Sequence, residues 1–397
     1  MHIALFHFYS RKPNPVYQEL ANALRRRGHT VWVGTRTDTG DLHWYDGNQQ
    51  FAVIPGPWHI LPSALRRVPL LRALFLRLGY FLFIWQVRRF LRQHRPDIVQ
   101  VNTNHFAWLL PLFMPPRMRF VYDIRQINEA VSKAWRVRLK ERAQITSRQI
   151  YTRFVYPRTC FCHEAAARRI LGEDWARRGV VVPVGVDLAF VRQPYVRVVA
   201  DDERVRFVYV GTLSRLRNLE RVIEAAALLR QKTADFCVHL VGPDTSDGYY
   251  RQVVDKMGVG DVVAILPAVP YEQIPALLAE YDVGLAYVPD RPTWHYQPTI
   301  KVLEYRALGL PILSTDVATH RDVVMAGVNG LLVADTAAAL AEGMARFVLD
   351  RPFLHRCRQR AQQMRQGLSW DDVAAMYERL VYRPLLGVDG QLTRETI

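Results

Sequence analysis

Residues 296–316 read Tyr296-Gln297-Pro298-Thr299-Ile300-Lys301-Val302-Leu303-Glu304-Tyr305-Arg306-Ala307-Leu308-Gly309-Leu310-Pro311-Ile312-Leu313-Ser314-Thr315-Asp316. Pro298 stands just before a helical run, Gly309 ends it, and Pro311 opens a short apolar strand. Helices that cross between short buried strands are the unit of a parallel sheet. Lys301 and Glu304 lie three apart and therefore share one face of the helix. A carboxylate at Glu304 suits two adjacent hydroxyls, as on a ribose, while Lys301 offers a point charge to phosphate or sugar oxygens. A surface ion pair on an amphipathic helix produces the same Lys-x-x-Glu pattern, so the pair alone does not decide for a ligand.

The alternation continues outward from this segment. Residues 206–211 (RFVYVG), 236–242 (FCVHLVG), 262–266 and 283–288 read as strands, and 219–231, 249–257, 271–281 and 337–349 as helices. The first half repeats the pattern. Residues 2–6 form an apolar strand, followed by the polar loop 9–14 and a helix that Asn14 caps, with Pro15 at its first position. Gly28 ends that helix, and 30–34 (TVWVG), 97–102 and 119–124 are further strands. Arginine-rich helical sequence runs from 129 to about 158, and 193–204 reads as a linker. The chain is thus predicted to be α/β, with two Rossmann-like, doubly wound domains at 1–195 and 204–365 that face a central cleft. Ligands in such sheets bind beyond the carboxyl ends of the strands. The loops after Phe6, Ile124, Gly211, Gly242 and Val288 should therefore line the cleft.

A length of 397 residues, half of them hydrophobic, fits two cores and argues against disorder. Cys160, Cys162, Cys237 and Cys357 are too few and too scattered for a zinc cage, and they suit a reduced, cytoplasmic protein. The amino terminus begins directly in an apolar strand without the pattern of a signal peptide. Lysine and arginine total 53 against 37 acids, a formal charge of +16. Codon bias toward arginine explains that excess as well as attraction to nucleic acid, acidic lipid or phosphorylated substrates does.

The loop Gly211-Thr212-Leu213-Ser214-Arg215-Leu216-Arg217-Asn218 joins a strand to a helix. Its backbone amides and the positive end of the helix dipole suit a phosphate, and Arg215 and Arg217 add charge for a diphosphate. An ordinary turn with solvated arginines has the same composition.

Together these segments resemble the donor-binding signature of the retaining glycosyltransferases of carbohydrate-active enzyme family four, the glycosyl transferases group 1. The similarity rests on 296–316, on Val210-Gly211-Thr212-Leu213-Ser214 with Arg217, on Leu240-Val241-Gly242 and on Pro270-Tyr271-Glu272-Gln273-Ile274-Pro275. Ser369-Trp370-Asp371-Asp372-Val373 is similar to the start of the family's final helix. The matches keep their order along roughly 180 residues. The resemblance implies a GT-B fold, with an N-terminal acceptor domain, a C-terminal nucleotide-sugar donor domain, and residues 366–397 returning to the N-terminal domain. Glu304 would hold the donor ribose, Arg217 stands where the family usually has a phosphate-binding lysine, Lys301 would face the diphosphate or the transferred sugar, and the Tyr271–Ile274 turn the base. Gly211, Thr212, Arg215, Gly242 and Thr299 complete the implied donor site. Arg125, Lys301 and His105 are the catalytic candidates, with Asn104 and Glu129 beside them. The sequence departs from the family at Tyr296, where a second glutamate is frequent, at Thr212, where an arginine is common, and at Arg125, where many relatives have histidine. His105 reads equally as a buried core histidine.

No Asp-x-Asp pair occurs, so no metal and no cofactor is expected beyond the nucleotide-diphosphate sugar as co-substrate. The implied reaction is metal-independent hexosyl transfer to a glycan or lipid-linked acceptor in polysaccharide or glycolipid synthesis. A nucleotide-sugar epimerase on the same scaffold is the alternative. A basic nucleic-acid-binding protein is a second alternative, but no binding module is legible for it and no nucleic acid is expected. Residues 65–95 mix leucines and aromatics with arginines, and Arg72 and Arg77 make a spanning helix costly. That stretch, with the basic helix around 136–158, is either an interfacial membrane contact on the cytoplasmic face or domain core.

Overall fold

Short apolar runs pair side by side because a strand covered on both faces needs no polar alternation. In the computed structural model this produces two sheets. The structure describes residues 1–8, 15–36, 42–46, 49–54, 84–85, 87–102, 111, 118–127, 135–193, 204–365 and 367–387. The chain divides into two compact units, Met1–Gly185 with Trp370–Ile397, and Val186–Ser369.

The first unit holds β1 (His2–Phe8), β2 (Thr30–Arg36), β3 (Leu42–Asp46), β4 (Gln49–Ile54), β5 (Ile98–Asn102), β6 (Arg119–Ile124), β7 (Arg158–Phe161) and β8 (Gly179–Val181). Their order in the sheet is β4-β3-β2-β1-β5-β6-β7-β8. The strands from β2 through β8 pair in parallel, and β3 and β4 add an antiparallel hairpin at one edge. Ile3, Ala4, Leu5 and Phe6 are buried at the centre. Helix Pro15–Arg26 covers one face through Tyr17, Leu20, Ala21 and Leu24. The terminal helix Trp370–Tyr377 packs on it and buries Trp370, Val373 and Tyr377. Arg26 pairs with Asp371 at 2.9 Å, and Arg27 and His29 meet Glu378 at 2.6 and 2.8 Å.

The second unit is a parallel sheet of β9 (Val205–Val210), β10 (Phe236–Val241), β11 (Val263–Leu266), β12 (Val283–Ala286), β13 (Ile312–Thr315) and β14 (Gly330–Val333), in the order β11-β10-β9-β12-β13-β14. Phe207, Tyr209, Val238 and Leu240 pack on helices Glu220–Arg230 and Ala337–Leu349. The other face meets Val302, Tyr305 and Leu308 of helix Ile300–Leu308. Strand order reverses between β9 and β12, so the connections leave the sheet in opposite directions there and open a crevice at the carboxyl ends.

Several elements differ from the sequence reading. The long basic helix is Trp135–Phe154 and does not reach 158. Pro157 cannot continue it, and Cys160 and Phe161 are drawn into the sheet instead. The expected helix over 271–281 is a 3₁₀ turn, Tyr271–Gln273, followed by the five-residue helix Ile274–Leu278 with Pro275 at its start. Short helix Leu188–Arg192 groups with the second unit, where Phe190 is buried. The linker residues 194–203, the loop 9–14 and most of 65–95 lie outside the described residues. Where 65–95 is described, Ile84, Val87, Phe90 and Leu91 are buried, and Phe90 stacks on Trp44 with centroids 3.4 Å apart. That end of the stretch is domain core, although Trp85 is exposed.

Candidate functional site

The carboxyl ends of β9 and β10 carry Gly211 and Gly242, at φ +147° and +153°. The two backbones run so close that a Cβ on Gly242 would lie 2.0 Å from the Gly211 carbonyl oxygen. Gly242 therefore serves packing, holding the first loop in place through the bond from Gly211 N to Val241 O. Gly211 faces the site itself. A Cβ there would meet the Lys301 Nζ at 3.3 Å, so glycine leaves the space beside that ammonium open.

The loop then forms a 3₁₀ turn, Arg215–Arg217, that aims its two arginines at different surroundings. Arg217 lies over the Trp294 ring, 4.6 Å from its centroid, and its buried NH1 has no hydrogen-bond partner among the described residues. Its charge also reaches Lys301. Arg215 stacks on Tyr249 at 4.0 Å and lines a separate cavity of about 480 Å³ with Ser246 and Gln252. Thr212 is exposed.

Helix Ile300–Leu308 brings the decisive pair. Tyr305 anchors it, its hydroxyl accepting from Val210 N at 3.1 Å. Lys301 and Glu304 are then held inside, with 7% and 5% exposure. Lys301 Nζ sits 3.4 Å from the Tyr209 ring centroid and finds no hydrogen-bond partner among the described residues. Burial first, then the Arg217 charge, hold this ammonium well below its ordinary 10.5, against the pull of Glu304. Burial pushes the Glu304 carboxyl up to about 7, opposed by the Tyr271 hydroxyl that donates to it at 2.9 Å and by Lys301. A buried cation without a partner is rare because its desolvation is uncompensated.

Thr299 caps this helix without a side-chain bond, so its first-turn amides stay open. The Thr299 hydroxyl instead meets His320 Nε2 at 3.1 Å, and His320 Nδ1 meets Ser314 Oγ at 2.6 Å. Burial pulls the His320 imidazole down to about 3, so it is neutral and positions the cap. Ile274 belongs to the core, whereas Tyr271 is exposed at the rim with its ring 5.8 Å from Phe190.

Gly211, Arg217, Lys301, Glu304, Tyr271 and Thr299 are thus gathered within the second unit. Arg125 belongs to the first unit and is buried there. It bonds Asp123, the Val182 carbonyl at 2.9 Å and the Tyr377 hydroxyl. Burial lowers its guanidinium, but the Asp123 carboxylate outweighs that and leaves it above its ordinary value. Tyr17 at 2.7 Å and Gln100 at 2.8 Å donate to the same carboxylate. This arrangement ties the terminal helix to β6 and leaves Arg125 engaged by its own unit. His105, Asn104 and Glu129 lie outside the described residues. Trp294, Ser314 and His320 escaped the sequence reading, because no local spacing marks a ring under Arg217 or a buried histidine behind Thr299. No group of three His, Cys, Asp or Glu side chains suited to a metal occurs among the described residues.

Solved structures share this architecture. Sucrose-phosphate synthase from Thermosynechococcus elongatus superposes with a TM-score of 0.71 at 18% identity, covering 98% of this chain and 100% of that one. HepE from Anabaena, solved in complex with UDP, gives 0.65 at 16% identity over 96% and 99%. The fold is GT-B, two Rossmann-like domains. The family model for glycosyl transferases group 1 matches residues 196–364, and that for glycosyltransferase family 4 matches 15–190. The chain belongs to this glycosyltransferase family. Among curated relatives, a D-inositol 3-phosphate glycosyltransferase of Geodermatophilus obscurus is 32% identical over 199 residues, 43% of this chain and 41% of the relative. One from Pseudarthrobacter chlorophenolicus is 27% identical over 215 residues, 52% and 50%. The chain spans about half the length of the curated relatives it matches.

Proposed function

We propose that this glycosyltransferase moves a hexose from a nucleoside-diphosphate sugar to an acceptor hydroxyl, with retention of configuration and without a metal ion. The observation that carries this reading is the buried Lys301 ammonium, without a hydrogen-bond partner among the described residues and set beside Gly211, Arg217 and the amino end of its helix. Two cations and first-turn amides suit a diphosphate. Glu304, with Tyr271 on one oxygen, suits the ribose hydroxyls. The UDP bound by HepE supports a uridine nucleotide.

In the transfer, the bond from the anomeric carbon to the diphosphate oxygen breaks as the acceptor oxygen attacks from the same face. The acceptor proton passes to the departing phosphate oxygen. Lys301 and Arg217 stabilise the charge that develops there, and the remaining rate enhancement comes from positioning. The acceptor is a glycan or lipid-linked hydroxyl, the setting is cell-surface glycan or glycolipid synthesis, and the enzyme works in the cytoplasm. The relatives named for D-inositol 3-phosphate support a hydroxyl acceptor.

A thermal-shift panel of nucleotides and nucleotide sugars tests the donor site, since a ligand bound only by the folded chain raises its melting temperature. UDP or another nucleoside diphosphate should raise it, and transfer from the matching sugar should persist in EDTA. Absence of a shift with every nucleotide, or activity that EDTA abolishes and manganese or magnesium restores, refutes the corresponding part.

A further inference from the structure

Helix Trp135–Phe154 of the first unit is about 30 Å long and buries only part of its circumference. Its solvent-facing stripe follows helical spacing along its whole length. Four large apolar side chains lie on it: Trp135 is 64% exposed, Leu139 59%, Ile150 48% and Phe154 75%. Arg138, Arg142 and Arg153 alternate with them, and Ala143, Thr146 and Gln149 fill the rest. No acid stands in the stripe. Arg153 holds its guanidinium 5.6 Å from the Phe154 ring centroid. At the amino-terminal end a cavity of about 290 Å³ opens among Trp135, Arg138, Leu139 and Arg142. At the other end a cavity of about 530 Å³ is lined by Arg153, Arg177 and Arg178, with Asp174 as the acid facing them.

We infer that this stripe docks on an anionic lipid surface, its apolar side chains entering the interface and its arginines meeting headgroup phosphates. Exposed apolar groups at this density mark a contact surface. Arginine stems lie along such side chains while the guanidinium groups stay in the polar layer. Charge selects the occupant. A second copy docking by the same face would set arginine against arginine. Nucleic acid would leave the aliphatic side chains unused. The inference is independent of the donor site, which lies in the other unit.

Co-sedimentation of the full chain with phosphatidylglycerol-containing vesicles and with phosphatidylcholine vesicles tests it, at low and at high salt. The protein should pellet with the anionic vesicles at low salt and be released by high salt. Each basic residue near such a surface changes partition about fivefold, so Arg138→Glu with Arg142→Glu should weaken binding more than tenfold. Leu139→Glu with Phe154→Glu, both exposed, should also weaken it while keeping the wild-type melting temperature and nucleotide-induced shift. The inference is overturned if the wild type stays in the supernatant, if it binds both vesicle types equally, or if both double variants pellet like the wild type. It is overturned too if the wild type self-associates without binding lipid and the Leu139/Phe154 variant is monomeric.

Discussion

Replacing Glu304 with glutamine separates two roles that the structure combines in one side chain. Glutamine keeps the size and the acceptor that Tyr271 uses at 2.9 Å, but removes the charge. The Glu304 carboxyl titrates at about 7 in the folded chain against an ordinary 4.5. Between those values the folded state keeps a proton that the unfolded state has released, so stability falls as pH rises through that window. Above it, the ionised carboxylate destabilises the nucleotide-free chain by about 3 kcal/mol. Glu304→Gln should therefore match wild type below pH 4.5 and melt about 6–12 °C higher at alkaline pH, for a unit of this size. Nucleotide binding should move the other way. Losing a charged hydrogen bond costs about 2–3 kcal/mol, roughly 30- to 150-fold in affinity. Differential scanning fluorimetry across pH, with and without nucleotide, reads both. Equal melting curves for the two proteins at alkaline pH would show that Glu304 is not held in the raised state. An undiminished nucleotide shift would remove it from the ribose site.

Lys301→Met should leave the nucleotide-free chain at least as stable as wild type, because the ammonium is buried without a hydrogen bond among the described residues, and should cripple transfer. A diphosphate favours the charged form of Lys301, so a nucleoside diphosphate should raise the melting temperature of the variant less than that of wild type, and equal shifts refute it. Gly242→Ala should destabilise by more than about 3 kcal/mol, since its Cβ meets the Gly211 carbonyl at 2.0 Å; near-wild-type melting would contradict the packing role.

What could be read from the sequence was whatever local spacing determines. Tyr249–Met257 and Ala337–Leu349 match the predicted helices to the residue, because apolar periodicity and terminal glycine or capping threonine specify them. Lys301 and Glu304 were found because three-residue spacing places them on one helical face. The separation of Arg215 from Arg217 was hidden, since a 3₁₀ turn rotates successive side chains differently from an α-helix. The buried setting of Arg125 was equally hidden. Its carboxylate partner is two residues away, but Tyr377 comes from 252 residues further along, and a histidine-like position at a strand end looked like chemistry. The edge hairpin of β3 and β4 went unread between the apolar segments, and Trp294 and His320 act through contacts that no periodicity announces.

The second unit thus keeps a lysine whose ammonium has no hydrogen-bond partner among the described residues. Lys301 and Glu304 share a helical face, yet each is taken by an aromatic neighbour, Tyr209 under the ammonium and Tyr271 on the carboxylate. Val302, Tyr305 and Leu308 fix the helix in the core, so neither side chain can move to water without undoing that packing. An apolar residue at 301 would fit the burial better, which argues that the charge is retained for a ligand and not for the fold. On the proposed reading, the ligand carries negative charge next to Gly211 and paired hydroxyls next to Glu304. A nucleoside diphosphate has both, the diphosphate on one end of the ribose and the hydroxyl pair on its ring, whereas inorganic phosphate would meet Lys301 and leave Glu304 without hydroxyls. On that reading, specificity for the nucleotide over the bare anion would reside in the carboxylate, and affinity for either one in the lysine.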